Sequence, residues 1–439
     1  MTSKTGGLSR RRFCGAAAAS AAALPLGLIN MREEARAMTE AALHTGNAPI
    51  TVRPFRMNIP EADLAELRQR IKATRWPERE TVTDDSQGVQ LATIQKLASY
   101  WGKDYDWRKC EAKLNALPQF VTEIDGVDIH FIHVRSRHAN ALPIVITQGW
   151  PGSIIEHLKV IDPLTDPTAY GGTASDAFHL VIPSLPGYGF SAKPTTTGWD
   201  PARIARAWIV LMKRLGYAQF VSQGGDWGAV VSNVMASQAP PELLGIHVNL
   251  PATITPAIEK AIVSGKVPPD WSADEQLAVK QLQDLNAKHL SYYHMYATRP
   301  QTLAGLADSP IGLAAWMLDH DARSYALIAR AFDGQDDGGL TRDDVLDNIT
   351  LYWLTNTGVS SGRIFWETHF NILGAANISI PAAVSAFPDE IYQAPQSWTE
   401  LAYHKLVYYN RPDRGGHYAA WTLPQLFSEE LRAGFRALR

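Results

Sequence analysis

One short stretch, Gly224-Gly225-Asp226-Trp227-Gly228, indicates the fold of this chain. It follows the apolar run Phe220-Val221-Ser222 and precedes a helical segment at 229–237. A polar residue flanked by glycines at a strand-to-helix turn has the form of a nucleophile elbow, where nearby backbone excludes side chains at the glycine positions. The stretch therefore predicts that Asp226 is a nucleophile presented at the edge of an α/β sheet.

Strand and helix patterns alternate on both sides of this turn. Apolar or alternating runs predict strands at 127–134, 143–147, 178–182, 244–250, 378–386 and 402–409. Helical spacing of apolar residues predicts helices at 60–75, 91–101, 201–215 and from residue 424 onward. Strands that alternate with helices indicate an α/β fold with a mainly parallel sheet. The region between the fourth and fifth predicted strands is dominated by helical patterns, which predicts a helical insertion in the core.

These patterns divide the chain into four predicted segments. They are a signal at 1–37, an N-terminal helical arm at 38–120, an α/β core at 121–251 and 368–439, and a helical lid at 252–367. The signal combines the basic run Ser9-Arg10-Arg11-Arg12-Phe13 with an apolar run at 14–29 and the small-x-small site Ala35-Arg36-Ala37. We therefore expect export by the twin-arginine route to the periplasm or the medium. The alternative is an alanine-rich helix, with Met31 or Met38 as the first residue.

The composition argues against several kinds of partner. Charged residues make up 19% of the chain, its formal net charge is -3, and acidic and basic residues are interspersed. We therefore expect neither nucleic acid nor an anionic membrane as a partner. The apolar run near the start is shorter than the roughly 20 residues that span a bilayer. We expect no stable transmembrane segment after signal removal, and we expect neither a cofactor nor a metal; the oligomeric state stays open.

An aspartate at the elbow selects a class of substrate. A serine that attacked an alkyl carbon would form an ether, which an ordinary active site cannot hydrolyse. A carboxylate that attacks the same carbon forms an ester, which water cleaves at its carbonyl. Asp226 therefore predicts carbon electrophiles such as epoxides or alkyl halides as substrates, in preference to esters and amides.

Ester hydrolysis also needs a base and an acid that orients it. His417 lies in Arg414-Gly415-Gly416-His417, between the last predicted strand and the last helix, where this fold places its base. The acid is expected after the penultimate strand, and Phe387-Pro388-Asp389-Glu390 is the acidic cluster there. Spacing does not decide between Asp389 and Glu390.

Two backbone N–H groups are candidates for an oxyanion hole. The turn Gly149-Trp150-Pro151-Gly152 follows an early strand and would direct the N–H of Trp150 toward the point that the N–H of Trp227 also faces. The alternative interpretation is a tight turn with no catalytic role.

These residues together resemble the microsomal-type epoxide hydrolases over most of the chain. The residues that carry the resemblance are Arg53-Pro54-Phe55, Thr74-Arg75-Trp76-Pro77 and Tyr105-Asp106-Trp107-Arg108 in the arm, Gly149-Trp150-Pro151-Gly152-Ser153, residues 183–191 and Gly225-Asp226-Trp227-Gly228 in the core, Thr298-Arg299-Pro300 and Asp308-Ser309-Pro310 in the lid, and Phe387-Pro388 with Arg414-Gly415-Gly416-His417 near the end. The resemblance implies a small apolar epoxide and water as reactants. It also implies that Glu390 is the acid, and that Tyr292 donates to the epoxide oxygen. Tyr293 and Tyr296 lie close to Tyr292 in the sequence.

Two positions depart from the family. Phe365 stands where the resemblance implies a second tyrosine donor, so we expect weak turnover and treat Phe365 as a substrate-binding residue. Gln148 stands where the family usually has histidine.

The loss of a tyrosine keeps two alternatives open. One is a haloalkane dehalogenase-like hydrolase, in which the ring N–H groups of Trp150 and Trp227 hold a halide. The other is an exported binding protein with little catalysis.

Overall fold

A computed structural model describes residues 51–335 and 339–439. The predicted signal at 1–37 and the first part of the predicted arm, 38–50, lie outside these ranges. The strands are β1 (Arg53–Pro54), β2 (Gln119–Ile124), β3 (Val127–Val134), β4 (Leu142–Thr147), β5 (Phe178–Pro183), β6 (Phe220–Gly224), β7 (Leu243–Val248), β8 (Ala382–Ser385) and β9 (Leu406–Asn410).

The α-helices follow the apolar periodicity of the sequence. They are α1 (Glu61–Lys72), α2 (Leu91–Lys103), α3 (Trp107–Asn115), α4 (Ile161–Thr165), α5 (Pro201–Arg214), α6 (Asp226–Gln238), α7 (Pro256–Ser264), α8 (Ala273–Lys288), α9 (Ser291–Thr298), α10 (Pro310–Leu318), α11 (Ala322–Phe332), α12 (Arg342–Leu354), α13 (Arg363–Glu367), α14 (Gln396–Ala402), α15 (Ala419–Thr422) and α16 (Pro424–Gly434). None of the helices in the described ranges is both long and apolar enough to cross a membrane.

The strands form one sheet whose order is β1-β2-β3-β5-β4-β6-β7-β8-β9. From β5 to β9 each neighbouring pair is parallel, as α-helical crossovers require. The first four strands in this order pair antiparallel. A two-residue turn joins β2 to β3, and both Asp125 (φ 52°) and Gly126 (φ 78°) have the positive φ that a type I′ hairpin needs. Strands β5 and β6 are buried along their whole length, as expected for a sheet with helices on both faces.

The predicted α/β class with a mainly parallel sheet is confirmed, while three predicted details are wrong. The strand predicted at 378–386 is confined to Ala382–Ser385. The arm is not purely helical, because Arg53 and Pro54 pair with β2 at the edge of the sheet. Proline is tolerated on an edge strand, and a two-residue strand leaves no period to detect. The predicted strand at 402–409 begins at Leu406, since Gln396–Ala402 is a helix that buries Trp398 and Ala402 one turn apart.

The segment between β7 and β8 consists of helices, α7 to α13, joined by loops and short 3₁₀ turns within the described residues. Several side-chain contacts join the N-terminal arm to this segment, and two of them show how. Arg70 forms an ion pair with Asp308 at 2.8 Å, and the Tyr105 hydroxyl donates to Asp347 Oδ1 at 2.7 Å. The arm therefore braces the helical segment against the sheet. We keep the name lid for the predicted segment 252–367.

Candidate active site

The predicted active-site residues meet at one edge of the sheet, where the parallel strands end. Trp150 follows β4, Asp226 follows β6, Glu390 follows β8 and His417 follows β9. Because the carboxyl ends of parallel strands share one edge, loops far apart in sequence converge there. Residues that follow one another along the chain in the order nucleophile, acid, histidine therefore lie in one cluster in the structure.

The elbow at Asp226 is strained, as the glycine pattern predicted. Asp226 has φ 47°, in the left-handed region that a residue with a side chain adopts only at a cost. A Cβ at Gly224 would lie 2.0 Å from the backbone of Gly228, and a Cβ at Gly228 would lie 1.8 Å from the carbonyl oxygen of Thr147. Only glycine fits at these two positions, which allows the turn to present Asp226 beyond the end of β6.

The two oxygens of the Asp226 carboxylate have different neighbours. The backbone N–H of Trp150 donates to Oδ1 at 2.7 Å, whereas Oδ2 lies 3.7 Å from Nε2 of His417. The side chain of Asp226 is 15% exposed. A Cβ at Gly149 would lie 2.1 Å from Oδ1, so glycine is also needed for the approach of this loop to the carboxylate. Trp227 follows Asp226 in the first turn of α6, where backbone N–H groups lack helical partners.

The acidic partner of His417 is Glu390, which the resemblance implied. Glu390 Oε1 lies 2.5 Å from His417 Nδ1, and Oε2 accepts from the side-chain amide of Asn249 at 3.0 Å. The backbone N–H of Ile391 also donates to Oε1 at 2.8 Å. Asp389 instead points outward, with a side chain that is 65% exposed and 3.6 Å from Arg323. The buried Glu390 carboxylate therefore fixes the orientation of the imidazole.

The protonation of His417 depends on the carboxylates around it. Burial alone would lower its pKa, but the negative charges of Glu390, Asp226 and Asp321 raise the pKa to about 10. Formation of an ester at Asp226 would remove one of these charges. The pKa of His417 would then fall, which favours the imidazole as a base in the next step.

Tyr292 and Tyr293, on α9, line a cavity of about 250 Å³ that also exposes Asp226. Burial, followed by the charge of Asp226, raises the pKa of both hydroxyls, which keeps them protonated and able to donate. The ring of Tyr292 stacks on that of Trp150 with centroids 4.8 Å apart. Tyr296 does not line this cavity, since its hydroxyl donates to the carbonyl oxygen of Gly358 at 2.6 Å.

Phe365 forms part of the aromatic wall of the same cavity. Its ring lies 4.7 Å from that of Trp227 and 5.3 Å from that of Tyr293. Most of the remaining wall is aliphatic, and its members are Leu250, Ile254, Ile262, Val263, Leu282, Leu285, Leu290, Ile372, Leu373 and Ile391. Trp150 is not among the described residues that line the cavity. Its ring is buried behind Tyr292, so the pair of indole N–H groups that would hold a halide is not assembled there.

Sequence reasoning missed two polar residues at this site. Asn249, directly after β7, holds Glu390. His320, in the lid, lies beside His417 with ring centroids 4.7 Å apart, and its Nδ1 is 2.9 Å from Asp321 Oδ2. Nε2 of His320 is buried with no hydrogen-bond partner among the described residues. The sequence feature that could have pointed to His320 is Asp319-His320-Asp321, a histidine between two acidic residues.

Comparisons with known proteins identify relatives of this chain. A family profile described as "Epoxide hydrolase N terminus" matches residues 52–157, and one described as "alpha/beta hydrolase fold" matches residues 143–286. A candidate epoxide hydrolase from Stigmatella aurantiaca is 50% identical over 391 residues, covering 88% of this chain and 86% of the relative. Epoxide hydrolase 1 of Oryctolagus cuniculus is 33% identical over 431 residues, which are 91% of this chain and 93% of that protein.

Solved structures show the same similarity. The crystal structure of juvenile hormone epoxide hydrolase from the silkworm Bombyx mori has a TM-score of 0.78 and 29% identity, and the match covers 89% of this chain and 96% of that one. The epoxide hydrolase of Aspergillus niger has a TM-score of 0.74 and 28% identity, with 89% and 98% of the two chains covered.

Proposed function

This chain belongs to the microsomal-type epoxide hydrolases of the α/β-hydrolase fold, and on that premise we propose that it converts epoxides to vicinal diols with Asp226 as the nucleophile. One observation carries the proposal. The Asp226 carboxylate, at the wall of an apolar cavity, has one oxygen on the Trp150 N–H and the other facing His417, which Glu390 orients.

In the first proposed step, Asp226 Oδ2 attacks a carbon of the epoxide ring. The bond between that carbon and the ring oxygen breaks, and its electron pair stays on the oxygen. A tyrosine hydroxyl donates a hydrogen bond and then a proton to this oxygen, because an alkoxide is a poor leaving group near neutral pH. The product is an ester between Asp226 and the substrate, in which Oδ1 has become the carbonyl oxygen.

In the second proposed step, His417 removes a proton from water, and the resulting hydroxide attacks the carbonyl carbon of the ester. Negative charge develops on Oδ1, where the Trp150 N–H already donates at 2.7 Å. We assign the second donor to the backbone N–H of Trp227. Donors that are in place before charge develops lower the barrier, typically by about 3 kcal/mol each. Collapse of the tetrahedral intermediate breaks the bond between the carbonyl carbon and Oδ2, which takes the proton of the newly added hydroxyl, so the diol leaves and the carboxylate is regenerated. The proton held by His417 returns to the tyrosinate left by the first step.

We assign the donors of the first step to Tyr292 and Tyr293. The family's second tyrosine position holds Phe365, and Tyr293 supplies a hydroxyl at the same cavity wall, against the Phe365 ring. Tyr296 is excluded from this role because its hydroxyl donates to Gly358. With two hydroxyls available, the weak turnover expected from Phe365 alone no longer follows.

The cavity favours a small apolar epoxide. Asp226 and Glu259 are the acidic residues that line it among the described residues, and most other lining side chains are aliphatic or aromatic. A volume of about 250 Å³ accommodates a molecule with one ring. Styrene oxide is therefore a suitable first substrate.

A single-turnover experiment in ¹⁸O-labelled water tests the mechanism. With enzyme in excess over styrene oxide, the first diol should contain no ¹⁸O, because its new oxygen comes from Asp226, and the label should appear in the Asp226 peptide. Asp226→Ala should form no diol. A labelled diol in the first turnover, or wild-type turnover in Asp226→Ala, would contradict the proposal.

The comparisons support neither of the alternatives. The position of Trp150 behind Tyr292 also argues against halide binding by paired indoles. Release of bromide from a brominated alkane, at a rate matching that of diol formation, would revive the dehalogenase alternative.

We also propose that residues 1–37 direct export through the twin-arginine route. The support is the sequence itself, with basic residues before an apolar run and a small-x-small site. Replacing Arg10 and Arg11 together by lysine should retain the unprocessed protein in the cytoplasm, which cell fractionation would measure. Export of this variant at the wild-type level would contradict the assignment.

A further inference from the structure

A second histidine–carboxylate pair stands next to the catalytic one. His320 and Asp321 repeat the arrangement of His417 and Glu390, and the two imidazole rings are 4.7 Å apart with an interplanar angle of 36°. The proposed reaction uses only the pair of His417 and Glu390. The side chain of His320 is 2% exposed, which leaves a buried polar group without a function in the reaction.

Both imidazoles are oriented in the way that metal-binding proteins orient their ligands. Nδ1 of His320 lies 2.9 Å from Asp321, and Nδ1 of His417 lies 2.5 Å from Glu390. A carboxylate at Nδ1 favours the tautomer with the proton there, which leaves the lone pair of Nε2 available. Nε2 of His417 faces Asp226, and Nε2 of His320 has no hydrogen-bond partner among the described residues.

The side chains of His320, His417 and Asp226 are close enough to share one ion. One donor atom from each of Asp226, His320 and His417 lies within 4.8 Å of the other two. Tetrahedral zinc with bonds near 2.0–2.1 Å needs donor atoms about 3.4 Å apart. The 3.7 Å between His417 Nε2 and Asp226 Oδ2 nearly meets this requirement. The other two spacings are at most 4.8 Å and would shorten by at most about 1.4 Å, which is within reach of side-chain rotation.

The charge around the three groups favours a cation. Three carboxylates, those of Asp226, Asp321 and Glu390, surround the two imidazoles. Within the described part of the chain, every ion pair of these carboxylates is with a histidine and none is with lysine or arginine. An ion that binds at Nε2 displaces any proton there and leaves both imidazoles neutral, so the three carboxylates then carry three negative charges, which a divalent ion would largely neutralise.

We propose that Asp226, His320 and His417 form a binding site for one divalent transition-metal ion of the zinc type, which inhibits the enzyme by occupying its nucleophile and its base. Two imidazoles and one carboxylate suit Zn²⁺ and Co²⁺ and disfavour Mg²⁺ and Ca²⁺, which prefer oxygen ligands. The ion is an inhibitor and not a cofactor, so the expectation that catalysis needs no metal is unchanged. The bound ion prevents attack by Asp226 and removes the lone pair of His417.

Metal titration of the purified protein tests this site without any substrate. Co²⁺ should bind with one ion per chain and produce the intense visible absorption of a four-coordinate site, and Zn²⁺ should displace it. His320→Phe keeps a flat ring beside Trp150 and Tyr292 but removes the donor nitrogen, so the visible absorption should be lost. Asp321→Asn should weaken binding by about tenfold to a hundredfold, the usual effect of losing the partner of a histidine ligand.

His294→Phe is the matched control, because His294 is an exposed histidine of the same lid. This variant should bind Co²⁺ as the wild type does. Circular dichroism of each variant separates loss of the site from loss of the fold, and His320→Gln provides a polar replacement if the phenylalanine variant is misfolded. Absence of stoichiometric binding in the wild type, or wild-type binding in a folded His320 variant, would overturn the proposal.

Inhibition kinetics test whether metal binding at this site blocks the enzyme. Zn²⁺ should inhibit styrene oxide hydrolysis by the wild type, and the concentration for half inhibition should rise at least tenfold in His320→Phe. Equal inhibition of both proteins would overturn the proposed location. Since the titration does not depend on turnover, an absence of epoxide hydrolysis would count against the proposed function and leave the metal site to be decided by Co²⁺ binding.

Discussion

The backbone N–H of Trp150 donates to Oδ1 of Asp226 at 2.7 Å, so the loop after β4 holds the carboxylate that the elbow after β6 presents. The same N–H meets the oxygen that would become the carbonyl of an ester. In the proposed mechanism, one donor therefore orients the nucleophile before the reaction and stabilises the oxyanion afterwards, with no rearrangement between the two steps. This relationship also assigns different roles to the two carboxylate oxygens, since Oδ2 is the one that faces His417.

Replacing His417 by glutamine should trap the ester intermediate. The variant keeps Asp226 and the lid tyrosines, so the first step proceeds, while the second loses its base and slows by about 10²- to 10⁴-fold. Intact mass spectrometry after mixing with styrene oxide should show a protein heavier by one substrate molecule. An unmodified protein together with normal diol formation would show that His417 is not the base.

Glu390→Gln and Asp389→Asn should have very different effects. Glu390 is buried and lies 2.5 Å from the imidazole, so its neutral replacement should reduce kcat by about a hundredfold or more. Asp389 is largely exposed and pairs with Arg323, so its replacement should leave kcat near the wild-type value. Steady-state kinetics on the two variants measures this contrast, and equal losses would contradict the assignment of the acid.

The lid tyrosines should separate into two classes. Tyr292→Phe and Tyr293→Phe should each reduce kcat/KM by about a hundredfold, the usual effect of losing one donor to a developing oxyanion. Tyr296→Phe is the matched control and should retain catalysis, because its hydroxyl is engaged with Gly358. Rapid-mixing measurement of ester formation would locate the loss in the first step.

The variant Phe365→Tyr extends this comparison. It places a hydroxyl at the position where the resemblance implies one, and it should partly restore the rate when combined with Tyr293→Phe. A rate in Tyr293→Phe equal to that of the wild type would assign the whole of the donor function to Tyr292.

Asp347 should make stability depend on pH. Burial raises its folded pKa from 3.8 to about 6, with the Tyr105 hydroxyl and Lys113 opposing the shift. Because its folded pKa is raised, Asp347 stabilises the fold fully below pH 3.8, and this contribution to the free energy of unfolding is lost as the pH rises through 6. The difference in the free energy of unfolding between Asp347→Asn and the wild type should therefore shift in favour of the variant by up to about 3 kcal/mol from pH 4 to pH 7.

Urea denaturation at the two pH values measures this difference. The exposed Asp63→Asn should change the free energy of unfolding by no more than about 0.5 kcal/mol at either pH. A pH-independent difference between Asp347→Asn and the wild type would show that Asp347 titrates normally in the fold.

Much of the fold was predictable because it depends on local pattern. Strand Val127–Val134 was predicted with its observed bounds, and the helix at 201–215 differs by one residue from the observed Pro201–Arg214. Errors occurred where a local pattern was too short, as in the two-residue β1, or ambiguous, as in the apolar run at 401–403, which closes a helix instead of starting a strand.

The sequence alone determined the positions of Asp226 and His417. Each is tied to glycines and to the end of a strand, and the proposed aspartate nucleophile favours carbon electrophiles such as epoxides over esters and amides. The family resemblance implied Glu390 in preference to Asp389, but the geometry behind that preference, and the choice of Tyr293 over Tyr296, depended on tertiary structure. Adjacent side chains on a loop or helix point in different directions, and only packing decides which one is turned toward the site. For the same reason, only the tertiary structure shows that His320, in the lid, lies with its ring against that of His417.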